Sequence, residues 1–355
     1  ITGAGDNGFG GGGILNDGGQ LTVTGSTLLD NAAANGLNGG GIYNNAGSVT
    51  VTSSTLTGNN TGNGSGGAVY NDGGTFTVTA STLTGNSAVD NAGGAIDNNS
   101  GTLTVTDSTI NHNTAFYSAD GGGIYNAGSL ALSNSTLSGN AAKFGGVGGN
   151  IFTSGPATVA ATIVANSAAG RDCFGTLTDD GYNLDDDSTC GFSATGDLTN
   201  TPADLDARGL EDNGGPTETI ALQSTSPAIG AINDPTLCST PDQRGVARPT
   251  PCAMGAVEVV LPAQAITSAD TATTKVGSSF SFTVRTTGVP LPSITRKGKL
   301  PKHLAFVNRH DGTALISGSP TKAGTYPFTI EADFGKGKSG HVVTQAFTLT
   351  VDPAS

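Results

Sequence analysis

Tryptophan is absent from these 355 residues, methionine occurs once, and charged residues make up only 12% of the chain. No run of 18 or more apolar residues occurs, which excludes a membrane-spanning helix. No basic segment followed by an apolar one opens the chain at Ile1, so the expectation is that any export signal has been removed or lies outside this sequence. Cations are scarcest of all in the first half: residues 1–170 hold one Lys (Lys143), no Arg and one His (His112). Over residues 1–262, 5 Lys+Arg face 23 Asp+Glu, net −18; residues 263–355 carry 10 against 5, net +5, which together give the −13 of the chain. An acidic first part repels nucleic acid and anionic lipid, and the basic tail is too modest for a nucleic-acid arm.

What the chain has instead is glycine, 56 residues of it, without a G-X-Y period, which excludes collagen. Regular apolar spacing argues against disorder. Gly-rich leads recur as "GGGILN" at 11, "GGGIYN" at 39, "GGAVYN" at 66, "GGAIDN" at 93, "GGGIYN" at 121 and "GGNIFT" at 148. Their apolar residues Ile14, Ile42, Val69, Ile96, Ile124 and Ile151 are 27 or 28 residues apart, the mark of a solenoid.

Each period holds three short pulses of alternating polarity, for example around Ile96, at 103–106 and at 108–111, divided by Gly, Asn and Asp. Such pulses predict three short strands per coil and no helix. The fold class is therefore all-β: a right-handed parallel β-helix with three strands per coil. The alternation points Leu21/Val23, Val49/Val51, Phe76/Val78, Leu103/Val105 and Leu130/Leu132 inward. Asn recurs in two columns, Asn16, Asn44, Asn71, Asn98, Asn126 and Asn59, Asn86, Asn113, Asn140, Asn166, read as structural ladders of turn residues.

The repeat dissolves after Ala169. An open solenoid end needs a cap, and the segment 171–262 is the expected one. Its four cysteines, Cys173, Cys190, Cys238 and Cys252, allow three pairings; Cys173 with Cys190 and Cys238 with Cys252 close the shortest loops. A zinc site competes, but no pair has the close spacing of a zinc knuckle. Disulfides imply an extracellular, secreted or cell-surface location.

Residues "DCFGTLTDDGYNLDDDSTCGF", "DNGGPTETIALQSTSPAIGAI" and "DQRGVARPTPCAMGAVE" resemble the C-terminal part of the bacterial choice-of-anchor Q proteins, surface β-helices related to polymorphic outer-membrane protein repeats. With the repeats, the resemblance covers about residues 1–260, and Met254 departs from the acidic residue usual before the final Gly-Ala. It implies secretion and surface display and no established reaction. Residues 263–355 change texture, and "VGSSFSFTV", "LPKHLAF", "GSPTKAGTYPFTI" and "QAFTLTV" are similar to immunoglobulin-like modules of bacterial exoproteins, implying a β-sandwich that spaces, attaches or binds. The expected division is thus a solenoid over 1–170, a disulfide-locked cap over 171–262 and the sandwich over 263–355.

Polysaccharide lyases and polygalacturonases of the pectate-lyase class share this architecture, which makes a polysaccharide-cleaving site the alternative expectation. Lyases need a basic residue and hydrolases a spaced carboxylate pair. A surface so poor in cations does not suit a polyanion cleft. Asp17 and Asp72 sit at turns, which leaves Asp97 and Asp107 as the best carboxylate pair, and His112 as a solvated turn residue. No catalytic residue is assigned beyond that weak pair. The opening "GAGDNGFGGGG" contains a G-x-G but leads into a strand, so the dinucleotide reading fails. No organic cofactor is implied; calcium is the one ion that Asp185, Asp186 and Asp187 could take, against the reading of a solvated acidic loop.

A surface ladder of outward T-x-T pairs, Thr22 and Thr24, Thr50 and Thr52, Thr77 and Thr79, Thr104 and Thr106, resembles ice-binding faces, although Thr is favoured on exposed strands anyway. Finally, the register makes Ile1 the equivalent of Leu83, inside a coil. That bare end is either a truncation or a surface covered by another chain, for instance the basic module of a second copy in a head-to-tail filament. The expected function is a non-enzymatic secreted structural or adhesion protein, its partners being itself, other surface proteins or glycans. A carbohydrate-active or glycan-binding protein and an ice-binding solenoid are the alternatives.

Overall fold

The computed structural model describes residues 1–3, 10–34, 36–89, 91–238, 240–259, 262–335 and 341–354. The residues between them, including most of the Gly-rich opening at 4–9, lie outside the described set. Among the described residues every regular element is a strand. The chain divides into two compact units, Ile1–Val259 and Val260–Ser355.

The first unit is a parallel β-solenoid of about six turns. The first leg of each coil pairs Ile14, Ile42, Val69, Ile96, Ile124, Ile151 and finally Cys173 in register. The second leg stacks Val23, Val51, Val78, Val105, Leu132 and Val159. The third stacks Leu28, Leu56, Leu83, Ile110, Leu137 and Val164. These rows form one continuous buried core, because strand alternation sends every second side chain inward and parallel stacking sets like on like. Thr2 pairs with Leu29, which puts Ile1 in the row of Leu28 and hence of Leu83.

Legs one and two belong to the same sheet and merge into single strands at Val69–Thr79 and Ile96–Thr106. The third face comes from a pulse too short to be counted in the sequence, the two-residue strands Ala32–Ala33, Asn60–Thr61, Ser87–Ala88, Thr114–Ala115 and Ala141–Ala142. The Gly-Gly leads serve this narrow corner: Gly66 takes φ +68°, and a Cβ on Gly67 would meet the Gly94 carbonyl oxygen at 2.2 Å.

Both Asn columns are hydrogen-bonded ladders, each with a direction. Asn16, Asn44, Asn71 and Asn98 each donate Nδ2–H to Oδ1 of the next Asn at 2.7 Å, and Asn126 donates to Thr153 Oγ1 at 3.0 Å. In the second column Asn31, Asn59, Asn86 and Asn113 donate onward in the same way. Here the sequence reading needs a correction, because Asn140 passes its hydrogen bond to Asn150, not to Asn166. Asn166 lies 26 residues after Asn140, one short of the repeat, and sits at the left-handed corner (φ 56°) that Gly139 occupies one coil earlier (φ 70°). Asn150 then donates to Asp172 Oδ1 at 2.7 Å. A ladder of donors running one way must end on an acceptor, and Thr153 and Asp172 supply it.

Beyond the regular repeat, Cys173–Phe174, Thr178–Asp179 and Leu184–Asp185 add a partial seventh coil. The segment after it does more than close an end. It returns along the outer face of the third leg, where the outward row is Thr82, Thr109, Thr136 and then Ile163. Ile163 and Ala165 pack outward against Ala228, Ile232, Cys238, Cys252 and Met254 in a second apolar cluster. Gly255 approaches so closely that a Cβ there would lie 2.7 Å from Thr136 Oγ1.

The second unit is a sandwich of two four-stranded sheets. One orders Ala265–Ile266, Phe280–Thr287, Thr313–Gly318 and Leu304–Asn308; the other Thr271–Lys275, Val342–Asp352, Gly324–Asp333 and Ser293–Lys297. All pairings are antiparallel except that of Thr271–Lys275 with Val342–Asp352. Val284, Ile294, Ile316, Ile330, Phe347 and Leu349 fill its own core.

Candidate functional site

Asp97 and Asp107, the two carboxylates singled out in the sequence, serve separate places in the coil. Asp97 stands on the outer row of the first leg, in register with Tyr70 on one side and Tyr125 on the other. It is only 3% exposed, and its Oδ1 has no hydrogen-bond partner. Burial pushes its carboxyl up to about 7, helped by the negative charge of Asp72 and opposed by the Ser65 hydroxyl.

Asp107 occupies the corner between legs two and three, where Gly25, Ser53, Ala80, Asp107, Asn134 and Ala161 all have φ between 45° and 54°. Asp and Asn tolerate this left-handed conformation better than most residues. The corner directs the Asp107 carboxylate to Arg248 of the returning segment, Nη2 to Oδ1 at 3.2 Å, with both side chains almost wholly buried. Arg248 also faces Glu258 at 3.7 Å and donates to the carbonyl oxygens of Ala253 and Gly255. Burial raises the Asp107 and Glu258 carboxyls, and the guanidinium opposes that rise. Asp107 is thus an anchor for the segment, and its partners are none of those of Asp97.

Gln243 continues the attachment. Its Oε1 accepts from Thr109 Oγ1 at 2.6 Å, and its Nε2 donates to Thr82 Oγ1 at 2.8 Å and Thr217 Oγ1 at 2.9 Å. Thr136 Oγ1 accepts from the Ala256 amide. The "DQRGVARP" string is therefore the part of the segment that reads the solenoid wall, with Asp242 holding Arg244 beside it. The Thr row it reads escaped sequence analysis, because Thr on exposed strands carries no mark of what lies over it.

The T-x-T residues do form two regular outward rows on the second leg. Thr22, Thr50, Thr77 and Thr104 make one, continued by Ala131 and Thr158; Thr24, Thr52, Thr79 and Thr106 make the other, continued by Ser133 and Ala160. The expectation that all eight form an open surface needs a correction. Only Thr22 and Thr24 are exposed, whereas Thr50, Thr52, Thr77, Thr79, Thr104 and Thr106 are half-buried. The physical reason is stacking: each of the six has a neighbouring side chain about 4.8 Å away in the coils on both sides. Thr52 shows the effect. It is held between Thr24 and Thr79 in register, and its carbonyl accepts from the Gly25 amide at 3.1 Å and from Ser54 Oγ at 2.8 Å. Thr79 and Thr106 share a hydroxyl contact of 3.2 Å and border a groove of about 510 Å³ beside Thr240–Gly245, so this second row abuts the returning segment. His112 replaces Gly at the left-handed corner after the third leg (φ 51°), its Nδ1 2.6 Å from Asn111 Oδ1.

Asp185, Asp186 and Asp187 do not converge. Asp185 accepts from the Cys190 amide, Asp186 from the Asn166 amide, and Asp187 from the Asp172 and Thr189 amides. No group of three acidic, His or Cys side chains among the described residues is placed to hold a metal ion. Asp172, at the end of the Asn ladder, is pushed up to about 9, chiefly by burial and then by Asp186 beside it. Cys173 bonds Cys190 and Cys238 bonds Cys252, the local pairings.

The aromatic residues of the solenoid also drew no attention in the sequence. The outer row of the first leg runs Leu15, Tyr43, Tyr70, Asp97, Tyr125, Phe152 and Phe174, with Tyr125 and Phe152 stacked at 4.8 Å. Phe116, Tyr117 and Phe144 cluster on two adjacent turns, readable in retrospect as "FYSAD" and "KFGGV" where earlier repeats have polar turns.

The family described as "Putative Ig domain" matches residues 262–352. The C-terminal unit is an immunoglobulin-like module. No curated protein matches the chain. Solved structures similar to it include a "putative alpha-galactosidase/melibiase" from Bacteroides fragilis, 22% identical, covering 24% of this chain and only 17% of that one at a TM-score of 0.20. Another is the titin M3 domain, 16% identical, covering 25% of this chain and 90% of that one at a TM-score of 0.19. The tandem titin domains A164-A165 are 14% identical, covering 28% and 57%, at 0.21. Likenesses at these scores carry no argument about activity. No helix among the described residues is long and apolar enough to cross a membrane.

Proposed function

We propose that this protein is a non-enzymatic extracellular surface protein, in which the solenoid is a rigid scaffold and the immunoglobulin-like module a spacer or attachment unit. The observation that carries this reading is the pair of disulfides, Cys173–Cys190 and Cys238–Cys252, in a chain that also bears an immunoglobulin-like module. The use of Asp107 as a structural anchor agrees with a scaffold. The resemblance of about residues 1–260 to choice-of-anchor Q proteins supports the same direction.

The test is surface shaving of cells that carry the gene, with maleimide labelling of the protein before and after reduction. Release by external protease and labelling only after reduction are expected. Recovery from the cytosol with four reactive thiols, or release of cleavage products from neutral or acidic polysaccharides, would overturn the reading. Self-association through the basic module of one copy and the acidic solenoid of another is checked by electron microscopy at low salt, where isolated rods would exclude it.

A further inference from the structure

Phe116, Tyr117 and Phe144 stand on the turns that follow the two-residue strands Thr114–Ala115 and Ala141–Ala142. The equivalent segments of earlier repeats read "ANGLN", "GNGS" and "VDNA", none with an aromatic residue, so two adjacent coils introduce aromatic residues there. Tyr117 and Phe144 are 61% and 69% exposed, in a chain that has only 6 Tyr and 13 Phe. Both hold the left-handed backbone conformation, φ 54° and 57°, which bulky residues rarely adopt. Residues kept in such a conformation while presenting rings to water point to use of those rings.

Tyr117 and Phe144 stack at 5.6 Å and 15°, Phe116 lies against Phe144 at 6.5 Å and 28°, and Phe116 and Tyr117 are tilted by 43° at 6.3 Å. At these separations they are offset, not eclipsed, and Tyr117 and Phe144 keep part of a face uncovered. Ser118 fixes the pair of turns to each other, its Oγ donating to the Phe144 carbonyl at 2.9 Å and its amide to the Lys143 carbonyl at 3.2 Å. The Lys143 ammonium is engaged over the Phe116 ring at 5.0 Å.

Size and charge choose among occupants. Two rings of about 150–250 Å² each, two-thirds exposed, offer roughly 300 Å², far below the ~800 Å² per partner that a stable protein interface needs. The surrounding residues 1–262 carry net −18, which repels uronate chains and anionic lipid. The exposed outer face and edges of the Tyr117–Phe144 stack, with a hydroxyl on Tyr117, suit the apolar face and the hydroxyls of a sugar ring. We infer that Tyr117 and Phe144, backed by Phe116, form a binding platform for a neutral polysaccharide. The inference rests on the extracellular reading above and names a ligand class for it.

The experiment measures retention of the full chain on insoluble cellulose and on chitin, with polygalacturonate and anionic phospholipid vesicles alongside. It uses wild type, Tyr117→Phe, and the double variant Tyr117→Asn/Phe144→Asn, in which Asn keeps the left-handed turns accessible. Wild type and Tyr117→Phe are expected to bind at least one neutral polysaccharide, and the double variant to bind it about tenfold or more weakly, with an unchanged or higher thermal midpoint. Equal retention of the double variant overturns the inference. So does failure of wild type on both neutral polysaccharides, retention only on polygalacturonate or vesicles, or a dimer that the double variant loses. A surface-exposed, oxidised protein that binds neither neutral polysaccharide would sink this inference alone; a cytosolic, reduced one would sink the underlying reading.

Discussion

Replacing Arg248 by Met would show how the returning segment is held to the solenoid wall. The guanidinium is fully buried, ion-paired to Asp107 at 3.2 Å and to Glu258 at 3.7 Å, and donates to the Ala253 and Gly255 carbonyls. Met fills much of the same volume but leaves two buried carboxylates without a countercharge, a loss of about 3–5 kcal/mol. The sign with pH follows from the carboxyls. Asp107 and Glu258 are already raised by burial, with Arg248 opposing the rise. Without it they rise further, so the folded state binds more protons than the unfolded one, and stability falls as pH increases past the usual carboxylate range. The loss should therefore be large at pH 8 and small near pH 4, where both carboxyls are largely protonated in the folded variant.

Hydrogen exchange of residues 237–259 and denaturant unfolding at the two pH values read this directly. The added change Asp107→Asn, which keeps a residue that tolerates the corner conformation, should recover part of the loss at pH 8 by removing one stranded charge. An Arg248→Met protein with wild-type exchange at pH 8, or with the same loss at both pH values, would refute the argument that this buried cation anchors the segment.

Three further outcomes are expected. Asp97→Asn removes a carboxyl raised to about 7 by burial; wild-type stability should fall more steeply between about pH 4 and 7 than that of the variant, which keeps only the fall due to the other raised carboxyls, as thermal melts across that range would show. Asn113→Ala breaks a buried ladder in the middle, stranding Asn86 and Asn140, and should cost about 1–3 kcal/mol in denaturant unfolding, whereas Asn166→Gly, at a corner where Gly58, Gly85 and Gly139 already stand, should be near neutral. Replacing Cys238 and Cys252 by Ala opens a link across 14 residues and should lower stability by about 3 kcal/mol, with the first exchange appearing around Ile232, whose backbone pairs with Cys252.

What the sequence determined by itself is whatever repeats with local chemistry. A spacing of 27 or 28 residues fixes which side chains stack, and strand alternation fixes which face they take, so Ile14 through Ile151 and Leu103 with Val105 were legible as core. The local cysteine pairings follow from short loops in the same way. The two-residue strands of the third sheet were not legible, because a pulse of two residues has no period to detect. Asn166 looked like a ladder member by residue type, but one missing residue moved it onto the left-handed corner. Alternation gave Thr52 its outward direction, but only the stacked coils decided how little of it meets water. Only the tertiary structure could show that Asp107 and Arg248, 141 residues apart, form a buried ion pair, or that Thr82, Thr109 and Thr136 lie under the returning segment while Thr22 and Thr24 face water. An outward Thr and an isolated Asp look the same in sequence whether solvent or protein covers them; burial is a property of the assembled surface, and it is burial that turned Asp107 from a weak catalytic candidate into an anchor.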